Sequence, residues 1–321
     1  MVRLFSAVLV LSVFPAPPVF AGSFLQLIAH YPEPKAISSV PAPAAAEDRG
    51  VCVFSSVSGQ VLSGQDALAG AVKDAAVVYV GETHDQAADH QAQLAALEAL
   101  YALRGNGAAV GFEMLNASLQ PVLDEYVSGR IDQEEFLEKT AWKKEWGFDF
   151  GLYKPLFDFA IRHKLRALAL NVPKRIISKI GRFGLGSLTP EERAFLPETV
   201  AITAHKEYLA YLKENYESMH AAAPGTMPAI TWENYLAAMC AWNEGMGSRI
   251  ADFLNADPAR TVMTIAGNGH IAYNAAIPAS VASRVKGIRQ ASFHTEGAAL
   301  CPAAVPAGLL GRADYIWFTP R

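Results

Sequence analysis

The run Val77–Val78–Tyr79–Val80 stops at Gly81, and Glu82, Thr83, His84 and Asp85 follow at once. A short apolar run bounded by a glycine reads as a buried strand, here with a polar end. From Asp89 to Arg104 the pattern turns helical: His90, Leu94, Leu97 and Tyr101 are spaced by four, three and four and share one stripe. Gly105–Asn106–Gly107 stops that helix. Ala108–Met114 is then a second buried strand, carrying Glu113 at its end. Strand, helix, strand in this order makes a βαβ unit, whose two strands are parallel.

Further elements extend the unit. Residues 51–57 read as a short strand and Gln65–Lys73 as a short helix. Two helices over 117–140 join at Gly129, and a third spans Leu152–His163. Arg166–Leu170 is a strand closed by Asn171–Val172–Pro173. Thr189–Pro190–Glu191–Glu192 starts a helix with a capping box. Long helices are expected over Val200–Met219 and Thr231–Leu254, separated by an Ala- and Pro-rich linker at 221–228. In the second, Tyr235, Met239, Trp242, Met246, Ile250 and Phe253 form one apolar face. Thr261–Ala266 is a fourth strand, ending in Gly267–Asn268–Gly269–His270, and two more lie near Gly287–Phe293 and Asp314–Phe318. The fold class is α/β: a mostly parallel central sheet flanked by helices, with an added helical subdomain.

Four of these strands end in polar residues: Glu82, His84 and Asp85; Glu113; Asn171; Asn268 and His270. In a parallel sheet the carboxyl ends share one edge, where ligands bind. Residues far apart in the chain therefore converge. Gly81 and Gly267 each stand three residues before a histidine, where a glycine permits a sharp turn or close backbone approach. Carboxylate with imidazole suits acid–base work on water, or the ligation of a metal such as zinc. His90 on its apolar stripe reads as a core histidine. His30, His163, His205, His220 and His294 lack a matching context and read as surface residues.

Composition narrows the rest. Half of the 321 residues are apolar and the net charge is −4 without a basic block, which argues against nucleic acid as a partner. Residues 1–21 read as a cleaved signal peptide: Arg3, an apolar stretch Leu4–Phe14, and small residues before Gly22. Pro15, Pro17 and Pro18 break the stretch short of the ~20 residues of a spanning helix. Residues 22–49 read as a flexible Pro/Ala-rich leader, and 50–321 as a single domain with a helical insertion at about 115–255. Cys52, Cys240 and Cys301 fit no zinc spacing; they read as small apolar residues, with one disulfide allowed by export. No cysteine marks a lipid-anchored N-terminus.

Seven aromatics fall between Trp142 and Phe159, Trp146 among them. Such a stretch is core, or a lid over the sheet edge. It is also the wall a flat apolar cofactor such as haem needs, with Tyr153 or Tyr273 as axial ligand and Lys154 or Arg175 for the propionates.

These segments together resemble the ChaN-like haem-uptake proteins. The resemblance rests on Val-Gly-Glu-Thr-His-Asp at 80–85, Gly-Phe-Glu-Met at 111–114, and Gln120–Pro121 with Leu123–Asp124. It continues through Trp146–Phe150 with Tyr153 and Pro155, Leu170–Asn171 with Pro173, and Gly267–His270 with Pro278. That family sits in the wider Tiki group, with metal-dependent peptidases and relatives of erythromycin esterase. The resemblance implies an exported haem- or iron-binding protein with a tyrosine ligand, for which Tyr153 and Tyr273 lie closest to matching segments. It implies haem or an iron chelate as ligand, with a homodimer and outer-membrane uptake machinery as candidate partners. The absent lipobox cysteine implies a soluble periplasmic form. In the wider group Glu82, His84, Glu113 and His270 match catalytic or metal positions, so the alternative is a hydrolase using zinc or manganese.

Overall fold

The computed structural model describes residues 52–62, 67–222 and 230–321. The signal-peptide and leader readings, His30 and most of the 221–228 linker lie outside the described residues.

Eight strands form one sheet in the order β2-β1-β8-β7-β3-β6-β4-β5. These are β1 (Cys52–Ser55), β2 (Val61–Leu62), β3 (Val77–Val80), β4 (Ala108–Asn116), β5 (Arg166–Asn171), β6 (Thr261–Ile265), β7 (Gln290–Ala298) and β8 (Tyr315–Pro320). From β8 to β5 all neighbours are parallel, while β1 joins β8 and β2 antiparallel at one edge. The sheet is thus mixed, with a parallel interior.

Alternation along the strands builds two cores. Val78, Val80, Val110 and Phe112 face α2 (Ala87–Arg104), α3 (Gln120–Val127), α4 (Gln133–Lys139) and α6 (Phe150–His163). The short α1 (Ala67–Val72) and α5 (Trp142–Glu145) join this side. Val77, Tyr79, Ala109 and Val262 face α7 (Lys174–Phe183), α9 (Lys206–Ala222), α10 (Trp232–Ala256) and α11 (Ile277–Arg284). The stretch 115–255 therefore supplies β5 as well as helices, and its helices cover both faces.

Two helix boundaries differ from the sequence reading. The helix expected from Val200 begins at Lys206, because Thr203 Oγ1 and His205 Nδ1 accept from the amides of His205 and Tyr208 and end it there. The capping box at Thr189 forms, yet α8 (Pro190–Arg193) runs one turn, and the Arg193 guanidinium then donates to the carbonyls of Pro197 and Glu198. The face from Tyr235 to Ile250 is buried as expected, with Phe253 only partly so. Cys52 and Cys301 form the one disulfide that export allowed, which corrects their reading as inert apolar residues, while Cys240 is buried and free, in keeping with that reading. His294 is also corrected: it lies on β7, 4% exposed, because that strand is covered on both faces. Among the described residues no helix is long and apolar enough to cross a membrane.

Candidate functional site

The carboxyl ends of β3, β4 and β6 lie side by side, in parallel register. Of the residues named from the strand ends they bring together Glu82, His84, Glu113 and His270, as two carboxylate–imidazole pairs. Glu82 Oε1 accepts from His84 Nδ1 at 2.7 Å. His270 Nε2 lies 3.2 Å from Glu113 Oε1. Both carboxylates are 1% exposed.

Each carboxylate is held by more than its histidine. Glu82 also accepts from Gln93 Nε2 at 2.8 Å and from the Tyr153 hydroxyl at 3.0 Å, with His90 Nδ1 at 3.3 Å. Burial pushes the Glu82 carboxyl up, but the charges of His90 and His84 and the hydrogen bonds from His84 and Gln93 outweigh it and hold it below its ordinary value. Glu113 accepts from the Gly267 amide at 2.7 Å. Burial is again overcome, by His270, His84 and this amide, so that carboxyl too stays low. His84 shows the reverse balance. Burial disfavours its charge, yet the Glu82 bond and the charges of Glu82, Glu113 and Asp85 raise its pKa above the ordinary value.

Hydrogen-bond direction fixes the His270 ring. The Tyr208 hydroxyl gives its one proton to the Gly269 carbonyl at 3.1 Å, so it accepts from Asn243 Nδ2 at 3.0 Å. Asn243 Oδ1 then faces His270 Nδ1 at 2.6 Å, and that nitrogen carries a proton. His90 is tied in the same way, with Nε2 facing the His84 carbonyl at 3.1 Å and Nδ1 facing Gln93 Oε1 at 3.0 Å. It is a core histidine, and also part of the Glu82 network.

The two glycines act by absence of bulk. A Cβ on Gly81 would lie 2.0 Å from Asn268 Oδ1, and one on Gly267 2.9 Å from His84 Cε1. Neither has a positive φ, so close approach and not a turn requires them. Asn268 is not turned to the site. Its amide pairs with the backbone of Thr295 and ties β6 to β7. Asn171 donates to the Glu113 carbonyl at 2.6 Å and supports that strand end.

The aromatic segment roofs the site. Trp146 meets His84 edge-on at 4.9 Å between centroids, and Phe148 lies 5.0 Å from the same ring. Among the described residues the buried Trp146 indole N–H has no partner of hydrogen-bond geometry, its polar neighbour being the Tyr153 hydroxyl. His84 keeps a side chain 12% exposed, against 0% for Glu82, so of this pair it is the imidazole that reaches the surface.

The other residues expected to hold a cofactor separate. Tyr153 is 0% exposed and committed to Glu82 and the His84 carbonyl. Lys154 is turned along α6 to Asp158, and Arg175 across to Glu192 of α8, so neither joins Tyr153 and Trp146. Lys174, at the start of α7, is half-buried, and burial pulls its pKa down against the charge of Glu145. Tyr273 follows His270 by three residues but stands outside the network, half-buried, beside Tyr211 at 6.3 Å and His205 at 6.0 Å. Ligation of zinc or manganese by Glu82, His84, Glu113 and His270 finds no support in this geometry. Their polar atoms are turned on one another, and among the described residues no group of three His, Cys, Asp or Glu is placed to hold a metal ion.

Asp89, Gln93, Tyr208 and Asn243 were not legible as site residues. Asp89 accepts from the Thr83 amide at 2.8 Å and from the hydroxyls of Thr295 and Thr319, fixing the loop that carries His84. A signal existed for Asp89 and Gln93, which sit one turn apart on the face of α2 that also buries His90. Tyr208 and Asn243 carry none, being set by the packing of α9 on α10.

No protein of curated function matches the sequence. Among solved structures, the chain resembles ChaN of Campylobacter jejuni, described for cofacial haem binding, at 18% identity and a TM-score of 0.59. That match covers 83% of this chain and 96% of the other, and it is a likeness of fold. Weaker likenesses link it to an erythromycin esterase EreC mutant in its open conformation (12% identity, 83% and 82% covered, TM-score 0.44) and to the type III effector HopBA1 (13%, 79% and 91%, 0.45). The profile of the family described as "Haem-binding uptake, Tiki superfamily, ChaN" matches residues 68–281. The chain belongs to the ChaN family of haem-binding uptake proteins.

Proposed function

We propose that this chain binds haem or an iron chelate in the cell envelope, in service of haem or iron uptake, and that Tyr273 is the haem ligand. The strand-end network does not suit an axial ligand, since the Tyr153 phenol is enclosed and already hydrogen-bonded. Tyr273 suits one. Its side chain is half-buried and its hydroxyl makes no hydrogen bond among the described residues. Tyr273 and Asn274 both adopt left-handed backbone, at φ 58° and 54°. Such strain in non-glycine residues persists only where the surroundings impose it. Here the Tyr273 amide donates to the Arg312 carbonyl at 2.5 Å, and Asn274 Nδ2 to Asp314 Oδ1 at 2.9 Å. The Tyr211 ring and His205 offer flat walls beside the phenol, and the Arg312 guanidinium, 5.8 Å from the Tyr211 ring centre, offers a charge for a propionate. Bound haem would supply an iron that takes the phenolate oxygen, and an apolar ring to cover this face.

The single observation that carries the reading is this contrast between an enclosed Tyr153 and a presented Tyr273. The Cys52–Cys301 bond supports an oxidising compartment, in line with the signal peptide read at 1–21. A homodimer and outer-membrane uptake machinery remain the partners proposed with this reading. Titrating the oxidised protein with ferric haem tests it. A saturable Soret change with a tyrosinate-type spectrum is expected, and no change at stoichiometric haem overturns the proposal.

A further inference from the structure

A cavity of about 340 Å³ lies along the outer strand β5, away from the strand-end network, between that strand and α10. Its walls are Leu168 and Ala169 of β5 and the segment Ala194–Pro197, which Arg193 closes by donating to the carbonyls of Pro197 and Glu198. These side chains give one apolar wall, while Gln120, Ser248, Arg249, Asp252 and Arg284 make the rest of the lining polar. The polar groups at the rim are nearly all committed. Gln120 uses both ends of its amide on β5, donating to the Ala167 carbonyl and accepting from the Ala169 amide, each at 2.8 Å. Ser248 gives its proton to the Gly245 carbonyl at 2.9 Å. The Arg284 guanidinium is bound to Glu244 and Ser280.

Arg249 is the exception. Its half-buried guanidinium lines the cavity and makes no hydrogen bond or ion pair among the described residues. Asp252, exposed at the rim, is the nearest opposing charge but stays beyond ion-pair distance. A partly dehydrated guanidinium without an acceptor is a costly arrangement in a finished surface. Its planar fork matches one group above others, a carboxylate held by two parallel N–H···O bonds.

The geometry points to a second ligand site here, taking a small carboxylic acid whose compact apolar body lies between Leu168 and the Ala194–Pro197 wall while its carboxylate meets Arg249. The single uncommitted cation favours a monoanion over a phosphate, which would need further donors. The site is independent of haem binding at Tyr273.

Hexanoate and inorganic phosphate are the probes, and the Arg249 Nε–Hε resonance of the full oxidised chain is the readout. Hexanoate is expected to shift that resonance saturably, and phosphate is not. Arg249→Gln and Arg249→Lys should each weaken hexanoate binding, measured by calorimetry, by on the order of tenfold or more, the contribution of hydrogen bonds to a charged group. Agreement of the two variants guards against a folding defect in one. No saturable shift with hexanoate, saturation by phosphate in its place, or unchanged affinity in both variants would overturn the assignment.

Discussion

At the residue scale the site is a matter of protons and space. His84 has a raised pKa in the folded protein, so its contribution to stability is full below its ordinary value of 6.5 and is lost as pH rises through the raised value. Glu113 has a lowered pKa, so its contribution is full above 4.5 and is lost as pH falls through the lowered value. Denaturant midpoints against pH should therefore show the gap between wild type and His84→Gln closing on the alkaline side, and that for Glu113→Gln closing on the acid side. A pH-independent gap in either pair speaks against the network. Space is tested by Gly81→Ala. The added methyl meets Asn268 Oδ1, which is fixed to Thr295, so a loss of about 1–3 kcal/mol in urea unfolding is expected. Glu82, His84, Glu113 and His270 were legible because a strand end is local in sequence and a parallel sheet gathers such ends. Tyr208 and Asn243 were not, because what assigns their roles is the contact of α9 with α10.

Among the elements, the edge strand β5 shows how a side chain stands in for a missing neighbour. Gln120 pairs with the Ala167 carbonyl and the Ala169 amide as a strand would. Gln120→Ala should cost about 1–3 kcal/mol, two hydrogen bonds with one buried amide left open, measurable by urea unfolding. A change within error would mean that water replaces the amide fully. Helix α7 escaped the sequence reading although Ile176, Ile177 and Ile180 keep helical spacing and are buried. The strand-closing Asn171–Val172–Pro173 drew the boundary, and Pro173 in fact precedes the helix it begins. The start of α9 was misplaced for a similar reason, since Thr203 and His205 cap it through side chains that apolar periodicity does not register. Arg175 belongs to this scale too. Paired with Glu192 on an exposed face, it should leave haem affinity unchanged when replaced by alanine, by the same absorption titration.

For the whole molecule, the parallel interior of the sheet followed from the apolar runs and the βαβ rule, and its antiparallel edge did not. Nor did the closure of the chain. The disulfide joins positions 249 apart and ties the antiparallel edge to the segment after β7, a pairing that three cysteines do not specify. Reduction should lower stability by about 2–5 kcal/mol, read as a shift in the guanidinium midpoint. His294 belongs here as well, since β7 is an inner strand only because β8 pairs beside it late in the chain. Haem binding is the property that joins family, fold and surface. Its most direct test sets Tyr273→Phe beside Tyr153→Phe in a ferric haem titration followed at the Soret band. The account predicts that Tyr273→Phe loses the tyrosinate spectrum and most of the affinity while Tyr153→Phe keeps both. A Tyr273→Phe protein that binds haem with unchanged spectrum and affinity would contradict it.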